Sequence, residues 1–473
     1  MKLYDTQTES MMEVTASESG TVDIYCCGPT VYRFAHVGNM RTFLMGDLVR
    51  RTLRAEGRRY RYIQNITDVG HLNDDTNLVL DGEADKILTQ ARLEQKDPFE
   101  IARFYEGAFH TDLKALNILP ADAYPKASES IALITDLVAQ LIELGVAYQG
   151  NDGSVYFSAR SCQDYGVISN NSLDNLREGY RFDISESEPG KRFHADWALW
   201  KSAAANREMT WPTPWGVGFP GWHIECSAMS IHYFPHGITL HLGGIDLRFP
   251  HHENERAQSN AVTRPKNQPG NQPGNQPEFV RQWVHGEHLL FEGRKMAKSA
   301  GNVLRVADFI EAGIDPLALR LVFLENHYRT QMNLTWDSVR AGDTTLKRWR
   351  RKLRTWPAGG EVDTQLVNQV KDFFSDDLNT SAAVLLLRKM ERDDSISDAT
   401  KRATFLACDE LLGIDLDRVD EVHLTHEVQS LINQRAEARA AKDWQRSDEI
   451  RGQLRDLGYA IHDGPDGQSW ELL

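Results

Sequence analysis

Four side chains of the kind that bind zinc are spread over more than two hundred residues of this chain, so a fold that uses them must join distant segments. They are Cys27 in YCCGPT, Cys226 in GWHIECSAMS, and His251 and Glu255 in FPHHENERAQ. His251 and Glu255 are four residues apart, so a helix would place them on one face, one turn apart. Thiolate, imidazole and carboxylate groups together suit Zn²⁺ better than Ca²⁺ or Mg²⁺, which bind through oxygen.

The residues alone leave the nature of this site open. HHENE is not the HExxH motif of metalloproteases, because glutamate rather than a second histidine holds the fourth position. Such a site need not activate water and could instead hold a molecule that is itself a good zinc ligand. A lone cysteine is usually a small buried hydrophobe, and Cys26 and Cys27 both end a predicted strand, TVDIYCC. Neighbouring strand residues face opposite ways, so either cysteine could reach the site.

Composition is that of a cytoplasmic globular protein. The 473 residues predict two to four domains, no apolar run approaches the roughly 18 residues of a membrane span, and MKLYDTQTES is no signal peptide. Five dispersed cysteines indicate a reducing compartment rather than a disulfide framework. The net charge of −15 does not indicate nucleic-acid binding. Two basic stretches, 49–62 and 346–356, predict either phosphate contacts or solvated helix faces.

The first hundred residues have the pattern of a βαβ unit. The strand TVDIYCCG precedes a helix that begins near Val37, and the strand RYIQNITDV follows. This order predicts a parallel sheet, whose ligands collect at the carboxyl ends of the strands. Cys27, Gly28, His36 and Thr67 lie at or near those ends, where we expect a nucleotide site.

Two short segments add phosphate-binding chemistry. HVGN (36–39) lies at a loop-to-helix junction, where free N–H groups and partial positive charge favour phosphates, and Gly38 permits close approach. KMAKS (295–299) places two lysines, which act as mobile point charges, on a glycine-flanked loop. A lysine-rich loop alone is usually solvated surface, but the order of these segments around the metal candidates is far more specific.

Along essentially its whole length the chain closely resembles the cysteinyl-tRNA synthetases, which are class I aminoacyl-tRNA synthetases. The resemblance is carried by CCGPTVYRFAHVGN, NITDV, LWK, GWHIECSAM, GGIDLRFPHHENE, HGEHL, KMAKSAGN, SDDLNT, KDWQRSDEIRGQL and GPDGQSW. It implies a Rossmann-like, doubly wound parallel-sheet catalytic domain with an insertion, a mostly helical C-terminal region and a small terminal anticodon-binding domain. The expected domains are the first half of the catalytic domain (1–117), a connective insertion (118–205), the second half (206–294), the KMAKS loop and stem-contact region (295–355), a helical bundle (356–425) and the anticodon-binding domain (426–473).

The resemblance also implies roles for individual residues. The zinc ligands would be Cys27, Cys226, His251 and Glu255, which selects Cys27 over Cys26. The cysteine pocket would be bordered by Gly28, Thr67 and Trp222. ATP binding and catalysis would involve His36, Gly38, Asn39, Lys295 and Lys298. In the tail, basic and aromatic groups such as Arg451, Trp444 and Trp470 predict contacts with tRNA phosphates and unpaired bases.

Three features depart from the usual family pattern. Asn39 replaces the last histidine of His-Ile-Gly-His and can still donate a hydrogen bond to a phosphate, but carries no charge. Ala297 replaces the first serine of Lys-Met-Ser-Lys-Ser, with both lysines retained. The repeated NQPG tract has the composition of a surface loop.

The implied enzyme joins L-cysteine to tRNA(Cys) with ATP and Mg²⁺, and holds one Zn²⁺ per chain. We expect a cytoplasmic monomer without membrane contacts. Three other functions stay open: a cysteine:amino-sugar ligase with the same core, a catalytically inactive RNA-binding relative, and a zinc hydrolase. The tail and SDDLNT argue against the first, and the intact lysines and metal candidates argue against the second. The zinc hydrolase is disfavoured because four protein ligands leave no obvious water activated by a nearby base.

Overall fold

The computed structural model describes residues 1–69, 85–173, 190–205, 207–264, 277–296, 303–419, 426–464 and 467–472. These residues form two compact units, Met1–Asp417 and Arg418–Leu473. Ala297, Lys298 and the NQPG repeats up to residue 276 lie outside the described residues. Within the described parts of the chain, every helix is too short or too polar to cross a bilayer.

The described strands, in chain order, are β1 (Lys2–Asp5), β2 (Ser10–Glu13), β3 (Thr21–Cys26), β4 (Arg59–Gln64), β5 (Ala147–Gln149), β6 (Val155–Phe157), β7 (Trp197–Ser202), β8 (Trp211–Thr213), β9 (Gly216–Pro220), β10 (Ile238–Gly244), β11 (Val280–Gly286), β12 (Leu289–Phe291), β13 (Arg294–Lys295), β14 (Met332–Leu334), β15 (Tyr459–Gly464) and β16 (Gly467–Leu472). The described α-helices are α1 (Val37–Ala55), α2 (Lys86–Glu94), α3 (Pro98–Ala115), α4 (Ile131–Glu143), α5 (Trp222–Tyr233), α6 (Glu253–Thr263), α7 (Val306–Glu311), α8 (Pro316–Leu324), α9 (Trp336–Thr355), α10 (Thr364–Ser375), α11 (Thr380–Glu391), α12 (Asp398–Leu412), α13 (His426–Ala440) and α14 (Trp444–Asp456).

A parallel sheet of four strands, in the order β11-β10-β3-β4, positions the candidate site. β3, α1 and β4 are the predicted βαβ unit, which is confirmed. All seven residues of β10 are buried, as expected for a central parallel strand covered on both faces. Leu242 of β10 pairs with Cys26 of β3, and the backbone N–H of Cys27 donates to Leu242 O at 3.1 Å. The carboxyl ends of the two strands therefore meet at Cys27.

The helix α1 packs on this sheet through the apolar face that its sequence predicts. Met40, Phe43, Leu44, Leu48 and Val49 recur at helical spacing, and all five are buried. The helix therefore presents its N-terminus at the edge where β3 ends.

The insertion contributes a separate antiparallel sheet of five strands, in the order β5-β6-β7-β9-β8. Buried Val155, Phe157, Trp197 and Trp200 form much of its core. The sheet continues to Pro220, beyond residue 205 where the sequence predicts the return of the catalytic domain. β8 and β9 are short strands separated by a tight turn, which gives little periodic signal near this boundary.

A buried ionic network fastens α1 to the helices that follow the catalytic sheet. Asp47 accepts hydrogen bonds from Arg51 Nε at 2.8 Å and from Arg320 Nη2 of α8 at 2.6 Å. The backbone N–H of Leu119 donates to its other oxygen at 2.9 Å, and Arg320 Nε donates to Leu412 O of α12 at 2.6 Å. These partners hold the pKa of the Asp47 carboxyl below its ordinary value despite burial, which by itself would raise the pKa.

Several arginines of the two basic stretches, 49–62 and 346–356, are paired with other groups of the chain. Arg51, a buried residue of α1, donates to Glu410 O of α12 at 3.0 Å, and buried Arg350 donates to Asp315 at 2.5 Å. Arg348 pairs with Glu391 of α11 at 2.9 Å. These arginines pair with groups of the same chain. Neither of the two predicted roles, phosphate contacts or solvated helix faces, describes buried Arg51 and Arg350.

The unit Arg418–Leu473 consists of α13, α14 and the hairpin β15–β16. Its small core contains Val428, Ile432, Ile450, Leu454 and Ile461. A core of this size is contributed almost entirely by the two helices, whose apolar faces meet.

Candidate metal centre and nucleotide site

The four predicted metal ligands converge at the carboxyl edge of the parallel sheet. The Sγ atoms of Cys27 and Cys226 lie 4.0 Å apart, and His251 Nε2 lies 2.9 Å from Glu255 Oε1. Cys27 Sγ lies 3.6 Å from the same carboxylate oxygen. All four residues are buried, and their ligand atoms lie within 4.8 Å of one another. This arrangement can hold a metal ion.

The four ligands come from different segments of the chain. Cys27 follows β3 directly, and Cys226 lies on α5. Glu255 is on α6, whereas His251 lies in the wide turn Arg248–His252 just before that helix. The side chains of His251 and Glu255 meet, as their spacing predicts. The two residues do not share one α-helix, however, because only Glu255 is inside α6.

A second set of possible ligands shares two members with the first. The Nε2 atoms of His241 and His252 each lie 3.4 Å from Cys27 Sγ, and these three residues with Glu255 also satisfy the 4.8 Å criterion. Because Cys27 and Glu255 belong to both sets, one ion cannot use both sets fully.

Outer hydrogen bonds favour the first set. An imidazole that binds a metal usually uses its other ring nitrogen for a hydrogen bond that fixes its orientation. The Nδ1 atoms of His251 and His223 lie 2.9 Å apart, and His252 Nδ1 lies 2.7 Å from His285 Nε2. Buried His241 Nδ1, in contrast, has no hydrogen-bond partner among the described residues. The second set therefore lacks support at one of its two histidines.

The electrostatics of the first set also fit a cation. Burial raises the pKa of Cys27 and Glu255 well above their ordinary values, whereas the hydrogen bond from Cys27 lowers the pKa of Cys226. Glu255 Oε2 is buried without a hydrogen-bond partner among the described residues. A divalent metal would offset this desolvation, since its charge favours deprotonated ligands.

Cys26 faces away from this cluster. Its Sγ accepts from Gln64 Nε2 at 3.8 Å, and burial raises its pKa to about 11. The alternation of strand side chains thus leaves Cys27 at the site, a point that the residues alone left open.

The three predicted pocket residues lie around the metal cluster and the end of β4. The Trp222 ring packs on His251 with centroids 4.2 Å apart. Thr67 is buried and forms a parallel bridge with Thr30, just after Gly28. The structure therefore brings the segments of Gly28 and Thr67 together, and places Trp222 against a metal candidate.

His36 and Asn39 cap α1 reciprocally. His36 Nδ1 accepts from the Asn39 N–H at 3.3 Å, and Asn39 Oδ1 accepts from the His36 N–H at 3.2 Å. Burial, with Arg33 nearby, lowers the pKa of His36 to about 4, so the ring is neutral near pH 7. Because Nδ1 accepts, the proton of the neutral ring is on Nε2, which can donate to a phosphate oxygen.

The described parts of the KMAKS region lie against HVGN. A Cβ on Gly38 would stand 3.0 Å from the Met296 side chain, and the Val37 N–H donates to Leu304 O at 2.9 Å. Lys295 is exposed on β13, and Lys298 lies outside the described residues. The two signatures, separated by more than 250 residues, are thus neighbours at the start of α1.

The low pKa of His36 predicts a loss of stability in acid. The unfolded imidazole has a pKa of about 6.5, so between about pH 6.5 and 4 the unfolded chain binds a proton that the folded chain excludes. The stabilisation is fully present above pH 6.5 and falls as the pH approaches 4, by up to about 3 kcal/mol. We expect His36→Asn, which retains a good N-cap residue, to show a smaller drop in melting temperature on acidification than the unaltered chain. Identical pH dependence in the two proteins would contradict a buried neutral His36.

The two predicted tRNA contacts in the C-terminal unit have partners of their own. Arg451 Nη2 donates to Asp463 at 2.8 Å. Trp470 packs against the small core, with its ring 5.9 Å from that of Tyr459. Trp444 is 56% exposed, and the guanidinium of Arg439 lies 5.6 Å from its ring centroid. Of the two tryptophans, Trp444 therefore offers the open surface for stacking.

Sequence reasoning missed four histidines of the metal region: His223, His241, His252 and His285. Each lies within or next to a segment that carries the family resemblance. These histidines are in GWHIECSAM, ITLHLGG, HHENE and HGEHL. The available signal was their recurrence in the segments that carry the ligand candidates. A single histidine is not informative, because only the fold shows which rings face the thiols.

Comparisons with known proteins cover both units. A family model described as the catalytic domain of class I (C) tRNA synthetases matches residues 13–343. A second, described as the anticodon binding domain of cysteinyl-tRNA ligase, matches residues 422–470.

Similar proteins match along nearly the whole chain. A cysteine–tRNA ligase of Thermus thermophilus is 39% identical, covering 99% of this chain and 99% of the relative. Cysteine–tRNA ligase 1 of Burkholderia lata is 38% identical, covering 99% and 96%. Among solved structures, methionyl-tRNA synthetase of Mycobacterium tuberculosis in complex with methionyl-adenylate has a TM-score of 0.53 at 15% identity, covering 83% of this chain and 90% of that one. That likeness concerns the fold alone.

Proposed function

The chain belongs to the cysteine–tRNA ligase family of class I aminoacyl-tRNA synthetases, and we propose that it activates L-cysteine with ATP and transfers it to tRNA(Cys). The observation that carries this proposal is the full-length similarity to enzymes of that name, including the C-terminal unit. A cysteine:amino-sugar ligase lacks the long C-terminal module, so the match at 422–470 argues against that alternative.

The first step needs positioning and charge rather than a protein base. The cysteine α-carboxylate attacks the α-phosphorus of ATP, and pyrophosphate leaves as cysteinyl-adenylate forms. The carboxylate is already ionised, so catalysis depends on alignment and on stabilising charge on the phosphates. The terminal ribose hydroxyl of tRNA then attacks the adenylate carbonyl and releases AMP.

The phosphate groups would meet the start of α1. Neutral His36 offers its Nε2–H, Asn39 borders the same turn, and Gly38 leaves room for the backbone to approach. Lys295 and Lys298 would bring positive charge from KMAKS, and Mg²⁺ would accompany ATP. The contact between Met296 and Gly38 supports this assignment, because it puts the start of KMAKS beside HVGN.

We propose zinc as the metal of the first ligand set, held by Cys27, Cys226, His251 and Glu255. When bound there, zinc would take the thiol of cysteine as a further ligand, whereas the hydroxyl of serine is a poor one. Sites built on a specific polar partner reject analogues without it by roughly 10⁴–10⁵ without editing. Trp222 and His251 would form one wall of this pocket, with Gly28 and Thr67 also bordering the amino acid. A cytoplasmic monomer remains a prediction.

Exchange of pyrophosphate into ATP tests the activation step. With the purified chain, cysteine should support exchange, whereas serine should give less than about one-thousandth of that rate, since the pocket selects for a zinc ligand. Exchange without any amino acid sets the background. Failure of cysteine to support exchange would contradict the proposed activity, and comparable exchange with serine would contradict selection by the metal.

A further inference from the structure

Buried Asn65 bridges the two backbone segments that border the proposed cysteine pocket. Its Oδ1 accepts from the Gly28 N–H at 2.9 Å, and its Nδ2 donates to Thr67 Oγ1 at 3.3 Å. Asn65 is 1% exposed. A single buried side chain thus touches both predicted pocket residues of this edge.

The hydrogen bond from Gly28 to Asn65 determines which atom of Asn65 faces Thr67. A backbone N–H can only donate, so the atom facing Gly28 must be the amide oxygen. The amide NH₂ then faces Thr67, whose hydroxyl oxygen accepts from it. A hydroxyl has one proton and two lone pairs. The proton of the Thr67 hydroxyl is therefore directed away from Asn65.

The backbone of Thr67 is fixed by hydrogen bonds, so only the direction of its hydroxyl proton can change. The Thr67 N–H donates to Pro29 O at 3.1 Å, and Thr67 O accepts from the Val31 N–H at 3.0 Å. A Cβ on Gly28 would lie 1.6 Å from Asn65 O, so the two segments are in close contact and only glycine fits. With the backbone held from both sides, the rotation of the hydroxyl depends on the two buried side chains that face it, Asn65 and Glu225.

We propose that Asn65 is a positioning residue for the amino acid: it orients the Thr67 hydroxyl so that its proton faces the bound cysteine. This inference rests on the proposed function, because it takes Thr67 as part of the cysteine pocket. Asn65 itself touches neither substrate. Its removal would take away the amide donor that fixes the Thr67 hydroxyl from one side, leave Glu225 as the other neighbour of that hydroxyl, and weaken binding of cysteine without changing binding of ATP.

A double-mutant cycle between Asn65 and Thr67 tests the inference. In pyrophosphate exchange, Asn65→Ala should raise the KM for cysteine about tenfold and leave the KM for ATP within about twofold, the effect of about one hydrogen bond. In a Thr67→Val background, which lacks the hydroxyl, Asn65→Ala should add less than about twofold. Full additivity of the two substitutions, or an equal rise in both KM values, would overturn the inference.

Two further variants separate positioning from folding. Asn65→Asp keeps an acceptor for the Gly28 N–H but offers Thr67 no amide donor, so it should also raise the KM for cysteine selectively, even if Asn65→Ala does not fold. Asn117→Ala is the matched control, since Asn117 also bridges two partners, Gly413 O and Asp415, but elsewhere. It should lower the melting temperature and change neither KM.

The outcomes distinguish this inference from the function on which it rests. If the unaltered chain showed no cysteine-dependent exchange, the proposed function would fail and the inference with it. Normal exchange, combined with an unchanged cysteine KM in folded Asn65→Asp, would overturn the positioning role alone.

Discussion

Replacing Cys226 with alanine is expected to remove most of the bound zinc and most of the cysteine activation. The substitution deletes a thiol that lies 4.0 Å from Cys27 and belongs only to the first ligand set. Loss of a direct ligand should lower zinc affinity by more than about 100-fold, since even outer partners of metal ligands contribute roughly 10–100-fold. Metal analysis of purified protein should fall from about one zinc per chain to a small fraction, and exchange with cysteine should fall in parallel.

His241→Gln is the control that separates the two ligand sets. His241 belongs only to the second set, and its Nδ1 has no partner among the described residues. If the first set holds the metal, this variant should keep about one zinc per chain, as measured after dialysis against a weak chelator. Zinc lost from His241→Gln but retained by Cys226→Ala would assign the ion to the second set instead.

A chain that ends near residue 425 is expected to keep cysteine-dependent exchange while losing most tRNA aminoacylation. The metal cluster and the described phosphate-site residues lie within Met1–Asp417, and the unit Arg418–Leu473 has its own core. Stacking contributes about 1–3 kcal/mol per unpaired base, so removal of the open stacking surface that Trp444 offers should lower aminoacylation at limiting tRNA by at least about fivefold. Charging of tRNA by the shortened chain at the full rate would contradict an anticodon-binding role for this unit.

Two point variants in the full chain refine this test. Trp444→Ala removes an exposed ring and should raise the KM for tRNA about tenfold, with the melting temperature unchanged. Trp470→Ala removes a ring that packs on the small core, so it should lower the melting temperature of that unit. A raised KM for tRNA in Trp470→Ala, with a lowered melting temperature in Trp444→Ala, would assign tRNA stacking to Trp470 and core packing to Trp444.

The local elements near the site follow from local sequence. The apolar period of α1 and the strands on either side of it predict the βαβ unit, because each side chain's face is set by the helical or strand repeat. The start of α1 at Val37 is equally local, since His36 and Asn39 satisfy the free N–H groups there. The insertion is harder to delimit, because its last strands are short and one of them pairs with a strand that lies apart from it in sequence.

What the sequence by itself determined is the set of chemical groups and their chain order: thiols, imidazoles, carboxylate and lysines at the ends of predicted strands. The family resemblance implies Cys27 rather than Cys26, and only the tertiary structure gave the geometric reason. It also gathered four further histidines around the metal candidates and placed Asn65 beside Thr67. The physical reason is that a side chain's partners across the sheet depend on strand order and register. Those are set by the burial of the whole core rather than by any one segment.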